Sequence, residues 1–581
     1  MNILSINHGI GPSICLLKNG RVLFAIEEER LNREKNTMGF PKLALQLASK
    51  EYSGFLKSVN QVAIANYKFS KTNKIQFRKK YYDMFYGKTL KEKVLDFGWL
   101  LKKKLNFLKY KTDSNKEQDA VKSLAFKYCK TLRNNATFHF FKHHDCHAAA
   151  AYYGLATNLN KPYLVLTLDG GGDGENATVQ IGNLGKLKRV SATVSGNSIG
   201  NLYSITTFLL GLTPHEHEYK LMGLSAYVPN IYKKKTLKIF SKYLGIDKTN
   251  NIKFKALMGI KTNKIHKLLF KDFELERFDN IAGGLQLFTE ELVTQWIKNC
   301  IKHTGIKDIL LSGGVFMNVV MNKRIAEMHE VNSVDVFPSC GDETNSFGAA
   351  FLLNANKKIQ LPRFDSFMLG SSTSIHKQIL KKYEDKCFFL KVKDSDLAAA
   401  KLLAKGKIIG KCDGPMEFGA RALGNRSVLA DPKIFDSVER INASIKQRDF
   451  WMPFAPAILI DDAPKYLKIP RSLKSKKNPS PYMMFVMDSK KNSQKDMIAA
   501  LHKFDKSARV EIVDKIHAPK LYNTISYFKK LTKRSCLLNT SFNIHGFPIV
   551  RTAEEAIDVL LDSSLDALVV KGYIITKRKE K

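Results

Sequence analysis

A chain of 581 residues is too long for one hydrophobic core, so two domains or more are expected. Its 94 lysines and arginines against 54 acidic residues leave a formal charge of +40, which points toward anionic partners such as nucleic acid or an acidic membrane. Yet it carries no RNP, KH or helix-turn-helix signature, no apolar run long enough to span a membrane, and no charged region ahead of an apolar one in MNILSINHG. A soluble, cytoplasmic protein without a signal peptide is expected, and nucleic acid is disfavoured as a partner. The many Asn and Ile residues suggest lysine enrichment by codon bias. Either way, a positive field draws in small anionic substrates such as nucleotides and sugar phosphates. Eight cysteines, at 15, 129, 146, 300, 340, 387, 412 and 536, form no CxxC pair and fit a reducing compartment rather than a disulfide framework or zinc knuckle.

In chain order, Asn2–Asn7 reads as a short apolar strand. The turn His8-Gly-Ile-Gly-Pro12 follows, then a strand at 13–17, an Asn19-Gly20 hairpin turn and a strand at 21–26. The charge cluster EEERLNREK at 27–35 reads as a solvated loop or, as a site, as anion contacts from Arg33 and Lys35 facing His8. Strand, glycine turn and strand recur over 164–181, which suggests a duplicated domain whose two turns face one cleft. Between the copies, residues 75–130 form a lysine-rich helical insert. The spacing of Phe97, Trp99, Leu100 and Leu101 there suggests an amphipathic helix packed on the domain rather than inserted in a membrane.

Residues 143–154 read HHDCHAAAAYYG. His143 and His147 are four apart on a stretch whose alanines favour helix, so their imidazoles stack on one face and can grip one ion. A bare HxxxH is more often a helix end with satisfied histidines. Here LTLDGGGDG, a strand running into the acidic glycine turn that starts at Asp169, adds the carboxylate that a phosphate-holding divalent metal requires. A zincin is excluded, because its HExxH needs glutamate where this chain has His144.

Further on, Glu218 and Lys220 lie on a loop before a small-residue turn, and 230–275 is a basic, helical segment with little motif content. A helix at 280–303 leads into a strand at 308–311 and then Ser312-Gly-Gly-Val-Phe-Met-Asn318, a strand, glycine pair and helix start suited to cradle a nucleotide. In Cys340-Gly341-Asp342-Glu-Thr-Asn, Asp342 sits where a second carboxylate can reach the same ion. The pattern loosens into a linker around 361–374, and a mixed α/β domain follows. There Arg421, Asn425, Arg426, Ser427, Lys446 and Arg448, with Asn539, Ser541 and Asn543 near the end, suit a compact phosphate-like anion.

Taken in order over nearly the whole chain, HHxxHA, LTLDGGGDG, YKLMGLSAY, SGGVFMN, CGDETNSFGAA, MEFGARALGNRSVLAD, PFAP and LNTSFNIHGFPIV resemble the NodU/CmcH family of ATP-dependent O-carbamoyltransferases. The resemblance implies an α/β fold: a duplicated actin/sugar-kinase/Hsp70-like (Kae1-like) domain over 1–362, then a YrdC-like α/β domain over 363–581. It implies that carbamoyl phosphate is broken down in the YrdC-like domain and that ATP activates the carbamate as carbamoyladenylate. The carbamoyl group then passes to a hydroxyl of a sugar, polysaccharide or secondary metabolite. An iron-type divalent ion, with Mg2+ or Mn2+ as alternatives, falls to His143, His147, Asp169 and Asp342. ATP falls to Gly170, Gly171, Gly313, Gly314, Asn318 and Gly341. His8 becomes the candidate base for the acceptor hydroxyl, with Lys35, Glu218 and Lys220 in the cleft.

Two positions depart from the family pattern: Gly9 stands where aspartate is usual, and Met452 where arginine commonly precedes Pro-Phe-Ala-Pro. Threonylcarbamoyl modification of tRNA is disfavoured by domain order and by the GNRSVLAD and LNTSFN motifs. A non-catalytic nucleic-acid-binding member is disfavoured because all four metal positions are filled. A homodimer stays open.

Overall fold

A computed structural model describes residues 1–67, 74–87, 113–356 and 366–578. Three sheets dominate it. The first has the order Arg21–Glu27, Ser13–Lys18, Asn2–Asn7, Gln61–Ala65, Thr137–Phe141. Its first three strands form antiparallel hairpins and the last two add in parallel. The second has the order Lys186–Val194, Glu175–Asn183, Tyr163–Gly172, Asp308–Ser312, Ser333–Val336, again two antiparallel pairings followed by two parallel ones. Counted along the chain, each sheet therefore runs third, second, first, fourth, fifth.

The helices cross between these sheets. His143–Leu155 follows the first sheet but packs on strands of the second, whereas Asn345–Asn356 follows the second and packs on the first; the two helices also lie against each other. This close approach is why the sequence is so rich in small residues here. Ala148 to Ala151 are fully buried, and a Cβ on Gly348 would fall 1.9 Å from the Cys146 carbonyl oxygen. The apolar faces of both sheets are thus covered by one shared helical layer.

The third sheet has eight strands in the order Cys387–Lys391, Tyr573–Lys577, Ala567–Val570, Ile409–Cys412, Arg426–Ala430, Cys536–Ser541, Ala455–Leu459, Glu511–Val513. Helices Ser395–Ala404 and Pro519–Thr532 pack together beside it.

Several segments differ from the sequence reading. The 27–35 cluster is not a solvated loop: Glu27, Glu28 and Arg30 are buried, because they tie the chain together across the fold. Arg30 pairs with Glu27 at 2.8 Å and donates to the Gly419 carbonyl at 2.7 Å, and Gly419 N–H donates to Glu27. Of the lysine-rich insert, helices Lys74–Tyr86 and Asp113–Tyr128 are seen, but Phe97, Trp99, Leu100 and Leu101 lie outside the described residues. The 230–275 segment is not uniformly helical, since a hairpin of Leu244–Ile246 and Phe254–Ala256 separates two helices. The described part of the 361–374 stretch is pinned rather than loose. Phe367 is buried between Phe347 and Phe418, and Ala25 N–H donates to the Leu369 carbonyl.

Candidate active site

Helix His143–Leu155 presents His143 and His147 one turn apart, as an i, i+4 pair must. Its start is held by Asp173, whose carboxylate accepts from the His143 N–H at 2.9 Å and from the Tyr67 N–H at 3.2 Å. Strand Tyr163–Gly172 ends by placing Asp169 beside the first imidazole, with His143 Nε2 to Asp169 Oδ2 at 3.2 Å. The turn after strand Ser333–Val336 brings Asp342, whose Oδ1 lies 3.5 Å from Nε2 of both histidines. One ligand atom from each of the four side chains lies within 4.8 Å of the others.

The surrounding hydrogen bonds orient these groups inward. Asn66 Oδ1 faces His143 Nδ1 at 2.8 Å and Ser312 Oγ faces His147 Nδ1 at 3.3 Å, leaving the two Nε2 atoms turned toward each other, 3.2 Å apart. Carboxylates and imidazoles converging this way, with both imidazoles fixed on their far side and Asp169 Oδ1 accepting from Gly314 N–H, fit a divalent cation. Gly172 belongs to the same construction, because a Cβ there would fall 2.1 Å from the His143 ring. His144 takes no part and faces Thr167 at 2.8 Å.

Without a cation the four groups share protons unevenly. Burial alone would lower His143, but Asp342 and Asp169 outweigh it and hold the imidazole up at about 9. Burial and the His143 charge lower His147 to about 3. Burial, reinforced by Asp169, raises Asp342 to about 7. Asp169 is held low, the His143 hydrogen bond and charge overcoming its burial.

This cluster opens into a cavity of about 780 Å³ that reaches across to the third sheet. Gly170, Gly171, Gly314, Asn318 and Gly341 line it. Asn318 also caps helix Val319–Ala326, accepting from Met321 N–H at 3.0 Å. Gly313 does not line the cavity; at φ +110° it lies against the strand, where a Cβ would be 2.4 Å from the Leu168 carbonyl oxygen.

At the far end, Arg421, Arg448, Ser541 and Asn543 line the same space. So does Arg509, which the sequence reading missed, since a single arginine in an alternating stretch carries no signal of its own. Burial lowers all three guanidiniums: Arg448 to about 10, and Arg509 further under the added charge of Arg421 and Arg448. Nε of Arg421 and Nε of Arg509 have no hydrogen-bond partner among the described residues. Three guanidiniums around one space, with donors to spare, suit a small multivalent oxyanion.

The other residues expected at the anion site stand behind this wall. Lys446, at the end of the π-helical turn Asn442–Lys446, donates to Oγ of Ser541 and Oδ1 of Asn543 at 3.0 and 2.8 Å. Arg426 is fully buried and donates to the carbonyls of Gly414 and Asn425. Asn425 donates to the Pro415 carbonyl, Ser427 Oγ accepts from Gly424 N–H, and Asn539 donates to Ala422 and Glu511. These side chains hold the backbone that carries the wall.

Of the expected catalytic residues, Lys35 and Glu218 line the cavity. Lys220 does not; it pairs with Asp449 at 2.9 Å, and its carbonyl accepts from Trp451 Nε1. His8 is buried and, with its pKa lowered to about 4 by burial, lies behind Ile10, Gly11 and Pro12, which face the space instead. Met452 lines the cavity, and Gly223 gives it room.

Comparison with known proteins places this geometry in a family. A carbamoyltransferase N-terminus family model matches residues 6–351 and a carbamoyltransferase C-terminus model matches 400–577. An uncharacterised protein of Methanocaldococcus jannaschii is 30% identical over 594 residues, spanning 99% of this chain and 100% of that one. Nodulation protein NolNO of Sinorhizobium fredii is 28% identical over 583 residues, covering 97% and 78%. Among solved structures, HypF of T. kodakarensis aligns with 61% of this chain and 48% of its own at 11% identity and a TM-score of 0.35, too loose a likeness to carry an inference. With a cavity joining two expected sites and family matches over both parts of the sequence, the chain belongs to the carbamoyltransferase family of the NodU/CmcH type and is a transferase that moves a carbamoyl group.

Proposed function

We propose that this protein transfers a carbamoyl group from carbamoyl phosphate to a hydroxyl, using ATP to form carbamoyladenylate on the way. The observation that carries the reading is the single cavity shared by the His/Asp cluster and the three arginines. Two sheets of identical strand order, with crossed helices between them, support a duplicated actin/sugar-kinase-like domain at 1–362, and the eight-stranded sheet a YrdC-like domain at 363–581.

Carbamoyl phosphate binds Arg421, Arg448 and Arg509, with Ser541 and Asn543 completing the contacts and Lys446 fixing both of them. Water displaces carbamate from the phosphoryl group, and the guanidiniums hold the charge that develops on phosphate. The carbamate crosses the cavity, where one of its oxygens attacks the α-phosphorus of ATP and pyrophosphate leaves. Gly170, Gly171, Gly314 and Gly341 give the nucleotide close approach to backbone, while Lys35 offsets phosphate charge. His143, His147, Asp169 and Asp342 would hold a divalent ion, iron or else Mg2+ or Mn2+, which when bound supplies Lewis-acid and template chemistry toward phosphate oxygens. An acceptor hydroxyl then attacks the carbamoyl carbon, its proton leaves, and AMP departs. Glu218 and Lys220 lie on the helix Glu218–Leu224 rather than on the loop expected from the sequence; Glu218, fixed by Ser204 Oγ at 3.0 Å, and Lys220, paired with Asp449, position that helix beside this step. His8 supports the turn that faces the nucleotide.

The test is product analysis. ATP incubated with the protein, divalent metal and carbamoyl phosphate yields AMP and pyrophosphate, and yields neither without carbamoyl phosphate. Formation of ADP alone would favour a kinase-type reaction and overturn the reading.

A further inference from the structure

The acceptor hydroxyl needs a proton acceptor, and the cavity narrows the choice. Its carboxylates are committed elsewhere. Asp169 and Asp342 belong to the histidine cluster, and Asp173 accepts from two backbone N–H groups. Glu27 and Glu29 pair with Arg30, Glu216 with Lys74 and Arg78, and Glu343 with Ser339. Glu218 Oε1 accepts from Ser204 and from the His215 N–H.

One imidazole lines the cavity among the described residues, and it is His215. Its backbone is left-handed at φ +63°, an uncommon state for a residue with a side chain and one often found where a group is held for function. That conformation is fixed by the His215 N–H bond to Glu218 at 2.7 Å, and the ring is fixed by an edge-on contact with Phe77, centroids 4.7 Å apart at 82°. Helix Lys74–Tyr86, which supplies Phe77, is itself tied to the same loop through Glu216 and lines the cavity with Phe77, Lys80 and Tyr81. His215 and Asp342 line the same cavity.

The geometry points to His215 as the general base of carbamoyl transfer, acting on an acceptor that lies along the aromatic wall of helix Lys74–Tyr86. In the step, the acceptor O–H bond breaks and its proton passes to the His215 ring. The oxygen forms a bond to the carbamoyl carbon, and the bond from that carbon to the AMP oxygen breaks, releasing AMP. Histidine is the side-chain type suited to exchange a proton near neutrality. This assignment rests on the carbamoyladenylate reading above.

It is tested without knowing the acceptor, because water is itself a hydroxyl nucleophile. AMP release dependent on carbamoyl phosphate is followed in buffer alone and with hydroxylamine, which attacks activated carbonyls without base assistance. In His215→Asn, whose side chain tolerates the left-handed backbone, the ratio of water-driven to hydroxylamine-driven release falls by about 100-fold or more. In His215→Gly, free imidazole added to the buffer restores water-driven release. An unchanged ratio in His215→Asn, whether both rates fall together or neither moves, overturns the assignment, as does failure of imidazole to rescue His215→Gly. Failure of the underlying reading looks different: the wild-type protein then releases no AMP with hydroxylamine at all.

Discussion

The two ends of the cavity are both deep and both charged, yet they solve the cost of that charge in opposite ways. At the His/Asp end, opposite charges and imidazoles face one another, and Asn66 and Ser312 hold the two imidazoles from the far side. At the arginine end, three like charges share one space, no ion pair to a carboxylate is made by any of them among the described residues, and two Nε groups have no partner there. The first end balances itself by sharing protons; the second is balanced only by something that arrives. On the proposed function an anion would offset the arginine end, whereas a cation would have to displace protons to enter the other.

The contrast can be broken most sharply at the arginines. Arg509→Met removes about 100-fold or more of carbamoyl-phosphate-dependent turnover, as expected when a desolvated charged contact is lost. The same variant melts at a higher temperature than wild type when phosphate and other anions are absent, because like-charge repulsion is relieved. Calorimetry with and without phosphate checks both signs, and a lower anion-free melting temperature would erase the contrast.

At the opposite end, His147→Ala abolishes retention of divalent metal, read by metal content after gel filtration, and leaves His143 without its partner at 3.2 Å. Unchanged metal content would refute the ligand set. Gly348→Ala probes the layer beneath this end. Its Cβ meets backbone 1.9 Å away, so unfolding in denaturant should show a loss of about 1–3 kcal/mol.

A further contrast is one of pH. His143, held up at about 9, and Asp342, at about 7, carry protons that a cation must displace. Metal affinity therefore rises as pH increases from 6 to 9, by about tenfold per unit while one proton is displaced, and then levels off. Titration calorimetry across this range checks the sign. The anion end has no such carboxylates to unload, so phosphate binding varies less over the same interval.

How much of this was legible in the sequence depends on distance along the chain. His143 and His147 announce themselves by helical spacing, and Asp169 by ending a strand at a glycine turn, all local patterns. Asp342 follows from the same grammar of strand, turn and helix. The recurrence of strand, glycine turn and strand foreshadowed two sheets of equal order. Arg509 was beyond reach because it stands in no patterned neighbourhood, and His215, though it precedes the YKLMGLSAY stretch, was passed over for Glu218 and Lys220; tertiary packing brings both to the cavity. Conversely, Arg426 and Lys446 looked like ligand contacts, but both side chains donate to backbone and amide oxygens, which sequence does not display.

The bridge from Glu27 and Arg30 to Gly419 joins the first sheet to the C-terminal part of the chain, and it engages both the N–H and the carbonyl of that glycine. Such a seam constrains exchange of parts. A chimera that takes its C-terminal portion from a relative brings a loop that must still meet Glu27 and Arg30 of this chain. Gly419 adds a second demand, since a Cβ there would meet Ser339 at 2.4 Å. Recombination between homologues should therefore succeed when the crossover carries Glu27, Arg30, Ser339 and Gly419 together, so that these four positions behave as one unit of inheritance.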